Sequence, residues 1–163
     1  MVTFFLSLLA IVGITLMLYS AVVLVQDKRL FGSAPKDAQE LLQPKPERFK
    51  GQHLLGWMLL ILSLLMLVAA AALAVWNGVR NNFGFWQFFA RFLIILYAYK
   101  AYDMICFDFL LMTRTRFFQR YYPEVDVCEA YHKYGFNLKS QIFRIIAYPF
   151  ICALAAWLCI IIW

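Results

Sequence analysis

Four ionisable side chains, Arg91, Lys100, Asp103 and Asp108, stand in a stretch that is otherwise apolar and aromatic, and they have the clearest capacity for chemistry in this chain. On a straight α-helix, with Arg91 at zero, Asp103 falls at about 120°, Lys100 at about 180° and Asp108 at about 260°. The lysine therefore lies between two carboxylates. Lys100 and Asp103, three residues apart, can pair directly. Arg91 lies opposite, within two turns of the helix start, where its stem can snorkel to an interface. Two chemistries compete for the cluster. One is a self-neutralised ion pair that fixes the rotation of the helix; the other is a proton or cation relay, or the polar floor of a substrate cavity. An isolated charge at the centre of a spanning helix costs roughly 2.5–3.5 kcal/mol on insertion scales, so the cluster is expected to face protein or water rather than lipid. Asp103 and Asp108 diverge by about 140° on a straight helix, which suits neither a shared magnesium ion nor a carboxylate dyad.

A second constellation is Cys128, Glu129 and His132. Cysteine and histidine four apart, with an E-x-x-H across Glu129 and His132, would put weak candidate ligands on one helical face. One such turn does not make a metal site: a di-iron bundle needs a second E-x-x-H, and the other histidine, His53, begins a distant apolar block. No metal and no cofactor are expected. Cys106, Cys152 and Cys159 lie in apolar blocks without a C-x-x-C, so they are read as small core residues rather than redox centres. A phosphate-binding glycine loop, G-x-S-x-G, H-E-x-x-H and an aspartate-rich metal run are all missing from the sequence, so no motif supports an enzyme.

The elements that carry these residues follow from composition. Of 163 residues 64% are apolar and 15% charged, with a mean hydropathy of +0.73; a soluble domain runs at ~45–50% and ~25%. A soluble globular fold is excluded. Ten of the 24 charges fall between Asp27 and Lys50 and nine between Arg114 and Arg144. The chain is thus apolar blocks divided by two charged loops. Spans are expected at about 2–26, 54–76, 83–112 and 142–163, each near the ~20 residues a helix needs to cross ~30 Å of hydrocarbon. The first span lacks the basic flank and short apolar core of a signal peptide. Backbone groups in lipid must be satisfied internally, so the spans are helices. The expected fold is all-α: one domain over 1–163, a bundle of four transmembrane helices, up-down and antiparallel, with cytoplasmic loops 27–52 and 113–141. The third connection is expected to hold a short interfacial helix over about 127–134, ended by Gly135, and aromatic residues 117, 118, 121 and 122 are expected at headgroup level.

The first large loop carries six lysines and arginines and the region from Arg114 to Arg144 another six, while the short connection between the second and third spans carries Arg80 alone. That bias places both large loops in the cytoplasm and both termini on the non-cytoplasmic side. Net positive charge then belongs to topology and to anionic lipid headgroups, not to nucleic acid, since acids interleave with the bases. Thr3, Ser7, Ala10, Gly13 and Ser20 form a small-residue stripe on the first span, and alanines gather at 69–74 and 153–156, as helix contacts in lipid require. Pro149 removes a hydrogen bond within the last span and frees the carbonyl of Ile145. Functionally the sequence points first to a non-catalytic membrane component that assembles as a homo-oligomer or with a membrane protein partner. A transporter or channel subunit using Lys100, Asp103 and Asp108 is the alternative, and a membrane enzyme acting on a lipid or quinone at the cytoplasmic headgroup level the third. The two halves share no internal repeat, which a transporter would show.

Overall fold

A computed structural model describes residues 1–32, 36–43, 45–128 and 138–162. It is all-helical, with 86% helix and no strand among the described residues. Helix α1 (Val2–Tyr19) continues through a π-helical segment (Ser20–Val25); α2 (Lys36–Leu41) is a short loop helix; α3 (Gln52–Arg80) is the longest. Helix α4 (Phe85–Tyr102) runs on as a π-helix (Asp103–Arg114), then come α5 (Phe117–Tyr121) and α6 (Leu138–Ile162). Three of these, Val2–Val25, Gln52–Arg80 and Leu138–Ile162, are long and apolar enough to cross a membrane. The stretch Phe85–Arg114 is equally long but carries the charges and the tyrosines that lower its hydropathy.

Small residues make the contacts between helices. The buried positions of α3 beyond Gln52 are Gly56, Ser63, Ala70, Ala74 and Gly78, at spacings of seven and four that keep them on one side. Those of α1 are Leu6, Ser7, Ala10, Gly13 and Ile14. Two glycines are required by close approach. A Cβ on Gly56 would stand 2.8 Å from Leu24 Cβ and 2.9 Å from the Val25 backbone nitrogen, so only glycine lets α3 meet the π-helical segment that follows α1. A Cβ on Gly78 would overlap the ring of Phe88, which is how α4 sits against α3.

The hairpin between α3 and α4 is closed by backbone geometry. Asn82 adopts φ 50°, Phe83 N–H donates to Gly78 O at 3.0 Å and Asn82 N–H to Val79 O at 3.0 Å. This is a Schellman ending, with asparagine in the left-handed position. Gly84 N–H then donates to Gln87 Oε1 at 2.9 Å to start α4.

At the opposite end the charged loops fold together. Val22, Val23 and Leu24 of the π-segment, Phe31 and Leu42 of the first loop, and Phe118, Tyr122 and Val125 of the third form one buried cluster. Phe31 packs edge-on against Phe118 at 5.2 Å and Tyr122 at 5.3 Å. Phe118 and Tyr122 are therefore core residues of a small cap and not headgroup anchors. An aromatic cluster in sequence does not distinguish a membrane belt from a loop core; the first loop supplies the difference by delivering Phe31. Lys45 Nζ crosses to Glu124 Oε2 at 2.8 Å, with Lys45 over the Tyr122 ring and Arg48 over that of Tyr121. The expected interfacial helix and Gly135 lie largely outside the described residues.

Candidate functional site

Lys100 is almost wholly buried, 1% exposed, and its Nζ lies 2.5 Å from Asp103 Oδ2. The i,i+3 spacing that allowed this pair in sequence is the spacing that makes it. Asp108 is held from another helix: Gln141 Nε2 of α6 donates to Asp108 Oδ2 at 2.5 Å. Lys100 stands 15 residues, about 22 Å, beyond the start of α4, and Gln141 only about 5 Å beyond the start of α6. The cluster thus lies toward the loop end of the bundle.

The π-helix alters the angular relation of the two carboxylates. Hydrogen bonds from i to i+5 place residues five apart about one turn above each other, so Asp103 and Asp108 share a side of the segment Asp103–Arg114. On the straight α-helix of the sequence reading they diverge. The widened turn explains how Lys100, Asp103, Asp108 and Gln141 converge, and Tyr99, Tyr148 and Arg144 stand within electrostatic reach of them.

Arg91 takes a different place from the one its sequence position suggests. It is 6% exposed, its Nη1 donates to Ala74 O at 3.0 Å, and its guanidinium lies 4.2 Å from the Phe83 ring centroid. It does not snorkel, because Gly78 and Ala74 bring α3 close enough for the side chain to reach a carbonyl across the hairpin. Planar, weakly hydrated guanidinium suits that stacked position better than an ammonium would.

Two further hydroxyls close backbone or side-chain partners. Tyr97 OH donates to Ile145 O at 3.3 Å, satisfying the carbonyl that Pro149 cannot engage. Thr15 Oγ1 joins Tyr102 OH at 3.0 Å and also donates to Ile11 O. Sequence reading ranked charges and passed over these tyrosines and the buried glutamines. Gln52 is one of the latter: its Nε2 donates to Leu24 O at 3.0 Å and Val23 O at 3.2 Å, and its Oε1 accepts from Arg48 N–H at 2.9 Å. The signal was present in outline, since an amide at the first turn of an otherwise apolar helix needs a partner.

Cys128 is buried at the edge of the loop cap, and Glu129 and His132 lie outside the described residues. No group of three or more histidine, cysteine, aspartate or glutamate side chains suited to a metal ion occurs among the described residues. In the cap, burial alone would raise the Glu124 carboxyl, but the hydrogen bond from Lys45 and backbone donors outweigh it and hold the group below the ordinary glutamate range. Burial, followed by the charges of Glu124 and Asp27, pushes the Tyr122 phenol up, so it stays neutral.

No protein-family model, curated protein or solved structure matches this chain. Geometry alone carries the functional reading.

Proposed function

We propose that the chain is a non-catalytic component of a membrane, a four-span up-down bundle with a short interfacial helix in its third connection, which assembles with itself or with a larger membrane protein. The observation that carries this reading is closure. The four charged side chains singled out in sequence are each engaged: Lys100 with Asp103, Asp108 by Gln141, Arg91 by the Ala74 carbonyl. A relay or a general acid needs a group left open to water or substrate, whereas these groups lock helix rotation and register. The apolar window of α1 is 44% buried within the chain and those of α3 and α6 17% each, which leaves faces that either lipid or a further helix covers.

In this reading both charged loops face the cytoplasm, where six basic residues of the first loop and those from Arg114 to Arg144 meet anionic headgroups, and both termini face away. The test is the mass of the detergent-solubilised protein by light scattering, corrected for bound detergent. Assembly requires a mass above the 19.1 kDa of one chain, from further copies or a co-purifying membrane protein. A single chain free of other protein at every concentration would refute it. The convergence of Asp103 and Asp108 on one side of the π-segment favours a second reading, a transporter or channel subunit whose path Lys100, Asp103 and Asp108 line.

A further inference from the structure

A cleft of about 500 Å³ opens between α1, α3, α4 and α6, within the ~300–1,000 Å³ typical of ligand sites. Its walls include Ile14, Ala70, Ala74, Ile95 and Ala155, small or aliphatic, and Tyr99 contributes a phenol. The gap exists because alanines on facing helices cannot fill the space that leucines would. Wall atoms without neighbours forfeit dispersion energy, so in a bilayer such a space takes up apolar matter.

Polarity along α6 gives the cleft a direction. Arg144, Tyr148, Cys152, Ala155 and Cys159 recur at spacings of four, four, three and four, which is one face of a helix. The last three line the cleft, and Arg144 stands eight residues, about 12 Å, nearer the loops. Tyr99 marks the same end and is the neighbour of Lys100. Arg144 is exposed, and the three ion pairs among the described residues do not include it. Asp103 pairs with Lys100, and Asp108, within electrostatic reach of Arg144, accepts a hydrogen bond from Gln141.

We propose that this cleft seats a hydrocarbon chain of an anionic phospholipid from the leaflet on the side of the large loops, with the lipid phosphate at Arg144. The planar fork of arginine accepts two phosphate oxygens at once, the phenols of Tyr99 and Tyr148 stand at the ester level, and the chain lies along the alanine walls. Charge selects the headgroup and the cleft selects the chain, so the two contributions are separable.

The experiment uses the full chain in mild detergent, titrated with dioleoyl phosphatidylglycerol or dioleoyl phosphatidylcholine and read by native mass spectrometry. The wild type is expected to prefer phosphatidylglycerol by about fivefold, the equivalent of the ~1 kcal/mol that one basic residue contributes near an anionic headgroup. Arg144→Gln is expected to abolish that preference while both lipids still bind. Ala71→Phe, from an exposed rim position of the cleft, is expected to weaken both lipids together, and Ala155→Leu repeats the test from another wall should the first variant misfold. Equal binding of the two lipids to the wild type, a preference that survives Arg144→Gln, or lipid binding indifferent to both fillers overturns the proposal. A filler that lowers the oligomeric mass and leaves lipid binding unchanged overturns it too, and gives the cleft to a second copy of the chain.

Discussion

Replacing Asp103 with asparagine removes the charge that neutralises a lysine with 1% of its surface exposed. Breaking a buried pair from one side costs about 3–5 kcal/mol, because the surviving charge is left without compensation. Asp103 keeps 16% of its side-chain surface, and asparagine still offers an oxygen, so the lower end, about 3 kcal/mol, is expected. For a chain of this size that is a fall in Tm of about 6–12 °C. Lys100→Met combined with Asp103→Asn leaves no charge to bury and should return most of the loss, giving a coupling energy well above the ~0.5 kcal/mol seen between independent sites. The assay is thermal unfolding in one detergent for the wild type, both single variants and the double. Singles within 2 °C of the wild type, as an order of magnitude, together with additive effects, would refute the locked pair, because water would then be solvating the survivor. That outcome would favour the transport reading over the structural one.

Three other outcomes are expected. Cysteine at Asn81 should react with an impermeant maleimide on intact cells while cysteine at the exposed Val127 should not; native Cys128 is unsuitable as a reporter because its burial protects it from either side. Gly78→Ala drives a methyl into the Phe88 ring and should cost about 1–3 kcal/mol, recovered in part by Phe88→Leu, as thermal unfolding will show. Glu124 titrates below its ordinary value, so its contribution is complete above the unfolded glutamate pKa and is lost as pH falls through the lower folded value. The acid loss of stability should shrink in Glu124→Gln, by no more than about 1 kcal/mol for a partly exposed pair.

Much of this molecule was legible because lipid-spanning sequence is a strong signal: an uncharged run of 26 residues leaves α1 few alternatives. The Lys100–Asp103 pair was legible for a similar reason, since i,i+3 proximity holds in the α-helix that carries Lys100. Helix rotation beyond that point was not. The π-segment Asp103–Arg114 changes the angle per residue, and no residue type in it announces an i to i+5 pattern, so the meeting of Asp108 with Gln141 could not be derived from spacing. Arg91 was misplaced because snorkelling assumes an accessible interface. A carbonyl brought near by Ala74 and Gly78 is a closer partner, but it belongs to another helix. The loop cap was hidden for the same reason: Phe31 and Phe118 are 87 residues apart in sequence, and their contact is tertiary.

The amide of Gln52 has a consequence in time. It closes carbonyls at the end of the π-helical segment that extends α1, from a position 28 residues downstream of Leu24. At a synthesis rate of ~5–20 residues per second, those carbonyls wait about 1–6 s for their partner to be made. During that interval the first helix is a finished rod with an unfinished end, dependent on water, headgroups or the insertion machinery for its last hydrogen bonds. The start of α3 is thus also the stopper of the first span, and the two become a unit during translation, before the charged segment that begins with α4 has been synthesised.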